Sequence, residues 1–175
     1  IQSEDQRWIG KCDERNVFCI AFKCFPNKID QIISLLSKSI IKTKSMDYIQ
    51  YLHRLQINKT ENPSYSFLSK LQEQNLLTVP FENLDIHQGN KIVLDQNRIY
   101  EKIVLGGRGG FCYELNGLFG ELLSALGFSV RKVSAQVYDE ETGYSPPFDH
   151  MALVVEIDKE DYLVDVQIAD QARQV

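Results

Sequence analysis

A cysteine at position 112 follows a glycine pair, with Phe111 between, in the stretch RGGFCYELN and stands at the head of a strongly amphipathic segment. A thiol kept only for its bulk belongs on an apolar face. A loop-to-helix junction is instead where backbone N–H groups and the helix dipole stabilise a thiolate and lower its pKa. Such a thiolate attacks acyl carbons, provided that a base and a group orienting that base stand nearby. His150 lies 38 residues further on and Asp165 another 15. An imidazole can take the thiol proton at one ring nitrogen while a carboxylate accepts from the other, which fixes the tautomer. Singly, each residue has a plain reading: a buried Cys is commonly a small hydrophobe, and a strand His or Asp is commonly half-exposed. Together they point to nucleophilic cysteine chemistry.

Bringing the three together demands a helix that begins at Cys112 and strands that end at His150 and Asp165. Leu115, Leu118, Phe119, Leu122, Leu123 and Leu126 recur at helical spacing, and Gly127 supplies a stop. After Gly127 the period shortens towards two in FSVRKVSAQVY, HMALVVEI and DYLVDVQI, which read as strands. A two-residue turn at Asp158-Lys159 would set Ala152 opposite Asp165 and His150 opposite Gln167. His150 and Asp165 then become diagonal neighbours on one face, about 7–8 Å apart at the backbone. An odd loop would put them on opposite faces.

Upstream, SMDYIQYLHRLQI predicts a helix capped by Ser45 with Asp47 in its first turn, and a second helix follows Asn62-Pro63 to about Asn75. LTVPFENLDIH reads as extended because Pro80 biases Val79 away from helix. HQGNKIVL reads as a turn into a short strand, and Asp95 caps a helix through Leu105 that Gly106-Gly107 end. Helices first and strands second give an α+β chain. The expected organisation is an atypical extension over 1–45, a helical domain carrying the Cys over 46–127, and an antiparallel β-sheet or barrel region over 128–175. Within the extension, NKIDQIISLLSKSIIKTK has the spacing of one amphipathic helix.

Composition excludes several classes. A net charge of −5 and a pI near 5.2 argue against a nucleic-acid surface, and no apolar run approaches the roughly 20 residues of a membrane span. Residues 1–45 carry eight Lys/Arg against five Asp/Glu, whereas the remainder carries eleven against nineteen. Cys12, Cys19, Cys24 and Cys112 form no CxxC pair and lie far from His53, His87 and His150, so no metal site is expected. A polar start, IQSEDQRW, does not read as a secretory signal, and a reducing, cytoplasmic setting is expected. Small molecules are the expected partners, with neither nucleic acid nor membrane.

RGGFCYELN, with VPFENL upstream, His150 opening a strand and LVDV closing the next, closely resembles the arylamine N-acetyltransferases from about Met46 to Val166. The resemblance implies a cysteine-protease-like Cys-His-Asp core: Cys112 as nucleophile, His150 as base and then acid, Asp165 as orienter. It implies ping-pong acetyl transfer through an acetyl-cysteine, in xenobiotic metabolism. Acetyl-CoA serves as the co-substrate donor, no cofactor stays bound, and an arylamine or hydrazine is the acceptor. Phe111, Tyr113 and Phe148 are candidates to line the substrate pocket and keep water from the acyl-enzyme, or are plain core packing. Glu82 and Arg108 read as a bidentate ion pair fixing the loop beneath Cys112. Gly109 and Gly110 permit its close turn, and Asn116 is a further structural support. A phosphate cradle is disfavoured because no Lys-Ser/Thr follows the glycines. After VDV the family continues into a glycine-rich turn and a domain that covers CoA, whereas this sequence reads QIADQARQV. A shortened member lacking that lid is expected. The alternatives are a cysteine hydrolase using the same triad and an inactive fragment.

Overall fold

The computed structural model describes residues 20–23 and 46–167. The helix expected within 29–44, and Cys12, Cys19 and Cys24, lie outside these residues. In chain order the elements are strand β1 (Ile20–Lys23), helices α1 (Tyr48–Arg54), α2 (Tyr65–Thr78), α3 (Leu84–His87), α4 (Gln96–Tyr100) and α5 (Cys112–Ala125), then strands β2 (Ser129–Asp139), β3 (Gly143–Tyr144), β4 (His150–Ile157) and β5 (Glu160–Val164). The class is α+β. No helix of the described residues is long and apolar enough to cross a membrane.

Local chemistry explains most boundaries. Asp47, not Ser45, caps α1, its carboxylate accepting from the Ile49 and Gln50 amides. Ser64 caps α2, which continues past Asn75 to Thr78 before Pro80 ends helical backbone. Asp95 caps α4 as expected, but the segment through Leu105 is not one regular helix. Glu101–Leu105 form a π-helical turn, which rotates the last residues relative to the first. Gly127 follows α5 with φ +92°, a conformation in which its missing Cβ removes the steric penalty.

Two further expectations fail. PFENLDIH is not extended throughout, because Leu84–His87 close one helical turn. The KIVL segment is not a strand: Ile92, Val93 and Leu94 are exposed, and among the described residues no strand pairs with their backbone. An apolar run of that length carries the strand signal without the pairing that makes a strand.

The sheet is antiparallel with order β1-β2-β4-β5, and β3 folds back on the end of β2. Among the described residues it is open, with β1 and β5 at its edges. Central β4 is buried along almost its whole length. Leu153, Val155 and Ile157 join the main core with Leu115, Leu118 and Phe119 of α5. Ala152 and Val154 meet Val133 and Ala135 in a second, smaller cluster. The β4–β5 hairpin has the expected register, with Ile157 opposite Glu160 and Leu153 opposite Val164. Asp158 and Lys159 both have positive φ, the geometry a two-residue type I′ turn requires.

Strand β1 lies within the stretch read from sequence as an appended extension. It pairs residue by residue with Ser134–Val137 of β2, and Ala135 in turn pairs with His150.

Candidate active site

Cys112 is the first residue of α5 and is 8% exposed. Phe111 has no side chain able to cap the helix. Its own amide is satisfied instead by Glu114 Oε2 at 3.2 Å, the returning half of a capping box. The preceding loop is sewn to the PFEN segment: the Glu82 amide donates to Gly110 O at 3.0 Å, and the Gly110 amide to Pro80 O at 3.3 Å. A Cβ on Gly109 would stand 1.9 Å from the Pro80 carbonyl oxygen, so only glycine permits this approach.

Beneath the loop lies a five-member ion cluster. Arg108 reaches Glu82 at 2.8 Å, but its two-pronged contact is with Asp85, at 3.2 and 3.4 Å. The expected bidentate Glu82–Arg108 pair is therefore corrected: the turn at Leu84–His87 brings Asp85 under the guanidinium. Lys102, delivered by the π-helical turn, contacts Asp85 and Glu114 at 2.8 Å each and Glu82 at 3.5 Å. The hydrogen bonds from Lys102 and Asn90 hold the Asp85 carboxyl down at about 2, while burial opposes them. Burial acts against the Lys102 charge too, yet its carboxylate partners raise its pKa overall. Sequence reasoning missed Asp85, Lys102 and Glu114. Glu114 had a detectable signal, an acid at the third helical position after a loop.

On the opposite side, His150 is 2% and Asp165 3% exposed. His150 Nε2 donates to Asp165 Oδ2 at 2.5 Å. Asp165 Oδ1 accepts from Asn116 Nδ2 at 3.1 Å and from the Gln167 amide at 2.9 Å, and the Asp165 backbone carbonyl accepts from Gln72 Nε2 at 3.0 Å. Asn116 also donates to Met151 O at 2.8 Å and accepts from the Val166 amide at 3.1 Å, tying α5 to both strands of the hairpin. Gln72 was another residue that the sequence did not flag. With Nε2 committed to Asp165, Nδ1 is the ring nitrogen left for Cys112, whose thiol stands close enough to act on the imidazole's pKa. Burial is the largest influence on His150 and lowers its pKa. The hydrogen bonds and negative charge of Asp165 and Cys112 together outweigh it and push the value up to about 9.

Cys112 Sγ also lies 3.9 Å from the Asp149 carbonyl oxygen. The Tyr113 hydroxyl donates to Phe148 O, and the Phe111 and Tyr113 rings lie 6.1 Å apart. Phe148 is 59% exposed with φ +67°, a strained conformation for an aromatic residue. The three aromatics read from sequence as pocket candidates are thus tied to one another, Phe111 and Tyr113 through their rings and Tyr113 to the Phe148 backbone. A cavity of about 210 Å³ lies elsewhere, lined by Asp85, Lys102 and Glu114 of the ion cluster with Ile92, Val93 and Ile99.

A thiol, an imidazole and a carboxylate in this order can carry out covalent acyl transfer. The N-acetyltransferase family model matches residues 65–174. This chain belongs to the arylamine N-acetyltransferase family. It is 35% identical over 121 residues to an arylamine N-acetyltransferase / N-hydroxyarylamine O-acetyltransferase of Salmonella typhimurium, across 69% of this chain and 43% of that protein. It is 38% identical to the pineal gland isozyme NAT-3 of Gallus gallus, across 69% of this chain and 42% of that one. The structure of a Bacillus cereus arylamine N-acetyltransferase, described as having a Cys-His-Glu catalytic triad, superposes with a TM-score of 0.64 at 34% identity. That match covers 70% of this chain and 49% of that chain. The chain thus spans less than half the length of these family members.

Proposed function

We propose that this chain carries the acetyl-transfer centre of an arylamine N-acetyltransferase, with Cys112 as nucleophile, His150 as acid and base, and Asp165 as orienter. The observation that carries the reading is the buried Asp165 Oδ2–His150 Nε2 pair at 2.5 Å, which acts together with the Cys112 thiol at the first position of α5 on the imidazole. Acetyl-CoA is the donor. His150 removes the thiol proton and Cys112 Sγ attacks the thioester carbonyl carbon, forming the new C–S bond. The bond to the CoA sulfur then breaks, and that sulfur leaves with the proton held by the imidazolium. In the second half-reaction an arylamine or hydrazine nitrogen attacks the acetyl-cysteine, His150 accepts the proton released from nitrogen, and Cys112 departs as thiolate. Exchange of one thioester for another costs little free energy, and the second remains reactive to a neutral amine. Phe111, Tyr113 and Phe148 flank this centre as the acceptor's apolar surroundings, which limit the access of water.

Support for the roles of Glu82, Arg108, Gly109, Gly110 and Asn116 comes from their contacts: each fixes the loop, helix or hairpin that holds a member of the triad. The test separates amine from water as acceptor. Protein exposed to acetyl-CoA and freed of it by rapid desalting is mixed with an arylamine, and the fate of the acetyl group is followed by chromatography. N-acetylated amine, formed by wild type and not by Cys112→Ala, is expected. Release solely as acetate, at a rate independent of amine, would replace the transferase reading with a hydrolase one.

A further inference from the structure

Asp149 precedes His150 in sequence, and its backbone carbonyl is the neighbour of the Cys112 sulfur at 3.9 Å. The residue is exposed, and its carboxylate takes part in no ion pair among the described residues. Backbone bonds hold it in place: the Asp149 amide donates to Pro146 O at 3.2 Å, and Tyr113 anchors the adjoining Phe148 carbonyl. Its position is therefore set by the loop between β3 and β4, whatever its side chain contributes. Strain at Phe148, φ +67°, accompanies this placement, and strain of that kind persists where surrounding contacts over-determine it.

The cations of the ion cluster beneath the Cys112 loop are committed to other carboxylates. Lys102 and Arg108 are shared among three carboxylates, Glu82, Asp85 and Glu114. His150 is engaged by Asp165. The negative charge of Asp149 reaches the Tyr113 hydroxyl, raising its pKa after burial and the Cys112 charge have done so.

From this geometry we infer that Asp149 is a specificity residue, a fixed negative charge at the rim of Cys112 that admits neutral and cationic amines and disfavours anionic ones such as aminobenzoates. The choice of acceptor rests on the acetyl-transfer reading, whereas the charge selection at the thiol does not. Two unit charges about 7 Å apart in a watery mouth change an encounter by roughly threefold for each sign of reagent, so the ratio between signs changes by roughly five- to tenfold. Raising the salt to about 1 M shortens the screening length to about 3 Å and removes most of this preference.

The experiment compares two methanethiosulfonate reagents of similar size, one bearing a trimethylammonium and one a sulfonate, on the full chain. Modification of the Cys112 peptide is timed by mass spectrometry in wild type, Asp149→Asn and Asp149→Lys, with a neutral reagent as reference. The expected result is a cation-to-anion rate ratio that falls roughly five- to tenfold in Asp149→Asn, falls further in Asp149→Lys, and converges among the three proteins at high salt, with the neutral rate changed little. An unchanged ratio in both variants overturns the inference. These reagents need a reachable thiol and no acetyl chemistry, so a chain that fails to take an acetyl group counts against the proposed function alone. In the acceptor assay, the same variants should gain transfer to 4-aminobenzoate relative to aniline.

Discussion

Asp165 uses its two oxygens differently. Oδ2 receives the His150 proton, while Oδ1 is held by Asn116 and the Gln167 amide. An amide at this position would offer N–H to an imidazole nitrogen that must itself donate, favouring the wrong tautomer. Asp165→Asn is therefore expected to retain the hairpin while slowing acylation of Cys112 by about 10⁴-fold, read by rapid-quench mass spectrometry. A rate near wild type would reduce Asp165 to a packing residue. The same pair gives a pH dependence. The folded protein holds the His150 proton up to about 9, against an ordinary 6.5. Stabilisation from this proton is complete below about pH 6.5 and is lost as pH rises through 9. Urea midpoints should fall over that interval in wild type and fall less in Asp165→Asn. Equal slopes in the two proteins would mean that the raised affinity does not come from the pair.

At the scale of elements, the start of α5 depends on a cation supplied by a different segment. Lys102 sits in the π-helical turn after α4 and neutralises Glu114, the residue that satisfies the Phe111 amide. Replacing it with an isosteric apolar chain strands the buried Glu114 carboxylate and leaves Glu82 and Asp85 to share Arg108 alone. Lys102→Met should cost about 3 kcal/mol of stability, measured by chemical denaturation. A loss under 1 kcal/mol would show that solvent already screens the cluster. In the hairpin, Lys159 adopts φ +68°, where a side chain is disfavoured. Lys159→Gly should raise stability by about 0.5–1 kcal/mol without altering the register. A drop in melting temperature would mean that the lysine side chain makes a compensating contact.

Across the whole molecule, what could be read from sequence follows a physical division. Helix α5 was legible because six apolar residues repeat on one face, and the His150–Asp165 alignment because a two-residue turn fixes the parity of both strands. Features that depend on distant partners were not. Strand β1 exists by pairing with β2 more than a hundred residues away, and nothing in IAFK alone marks it as an edge strand. Ile92-Val93-Leu94 carried the opposite error, an apolar run with no strand beside it among the described residues. Of the ion cluster, the sequence indicated Glu82 and Arg108. Asp85, Lys102 and Glu114 join them only because a helical turn, a π-helical turn and a helix start converge in space.

Whether these elements assemble a working acyl acceptor is most directly tested by exposing the full chain briefly to acetyl-CoA, quenching in acid and mapping the peptides by mass. One acetyl group is expected, on the peptide bearing Cys112, lost in Cys112→Ala and greatly slowed in His150→Gln. No acetyl group on Cys112, or acetyl groups spread equally over Cys12, Cys19, Cys24 and Cys112, would contradict the proposed role of Cys112.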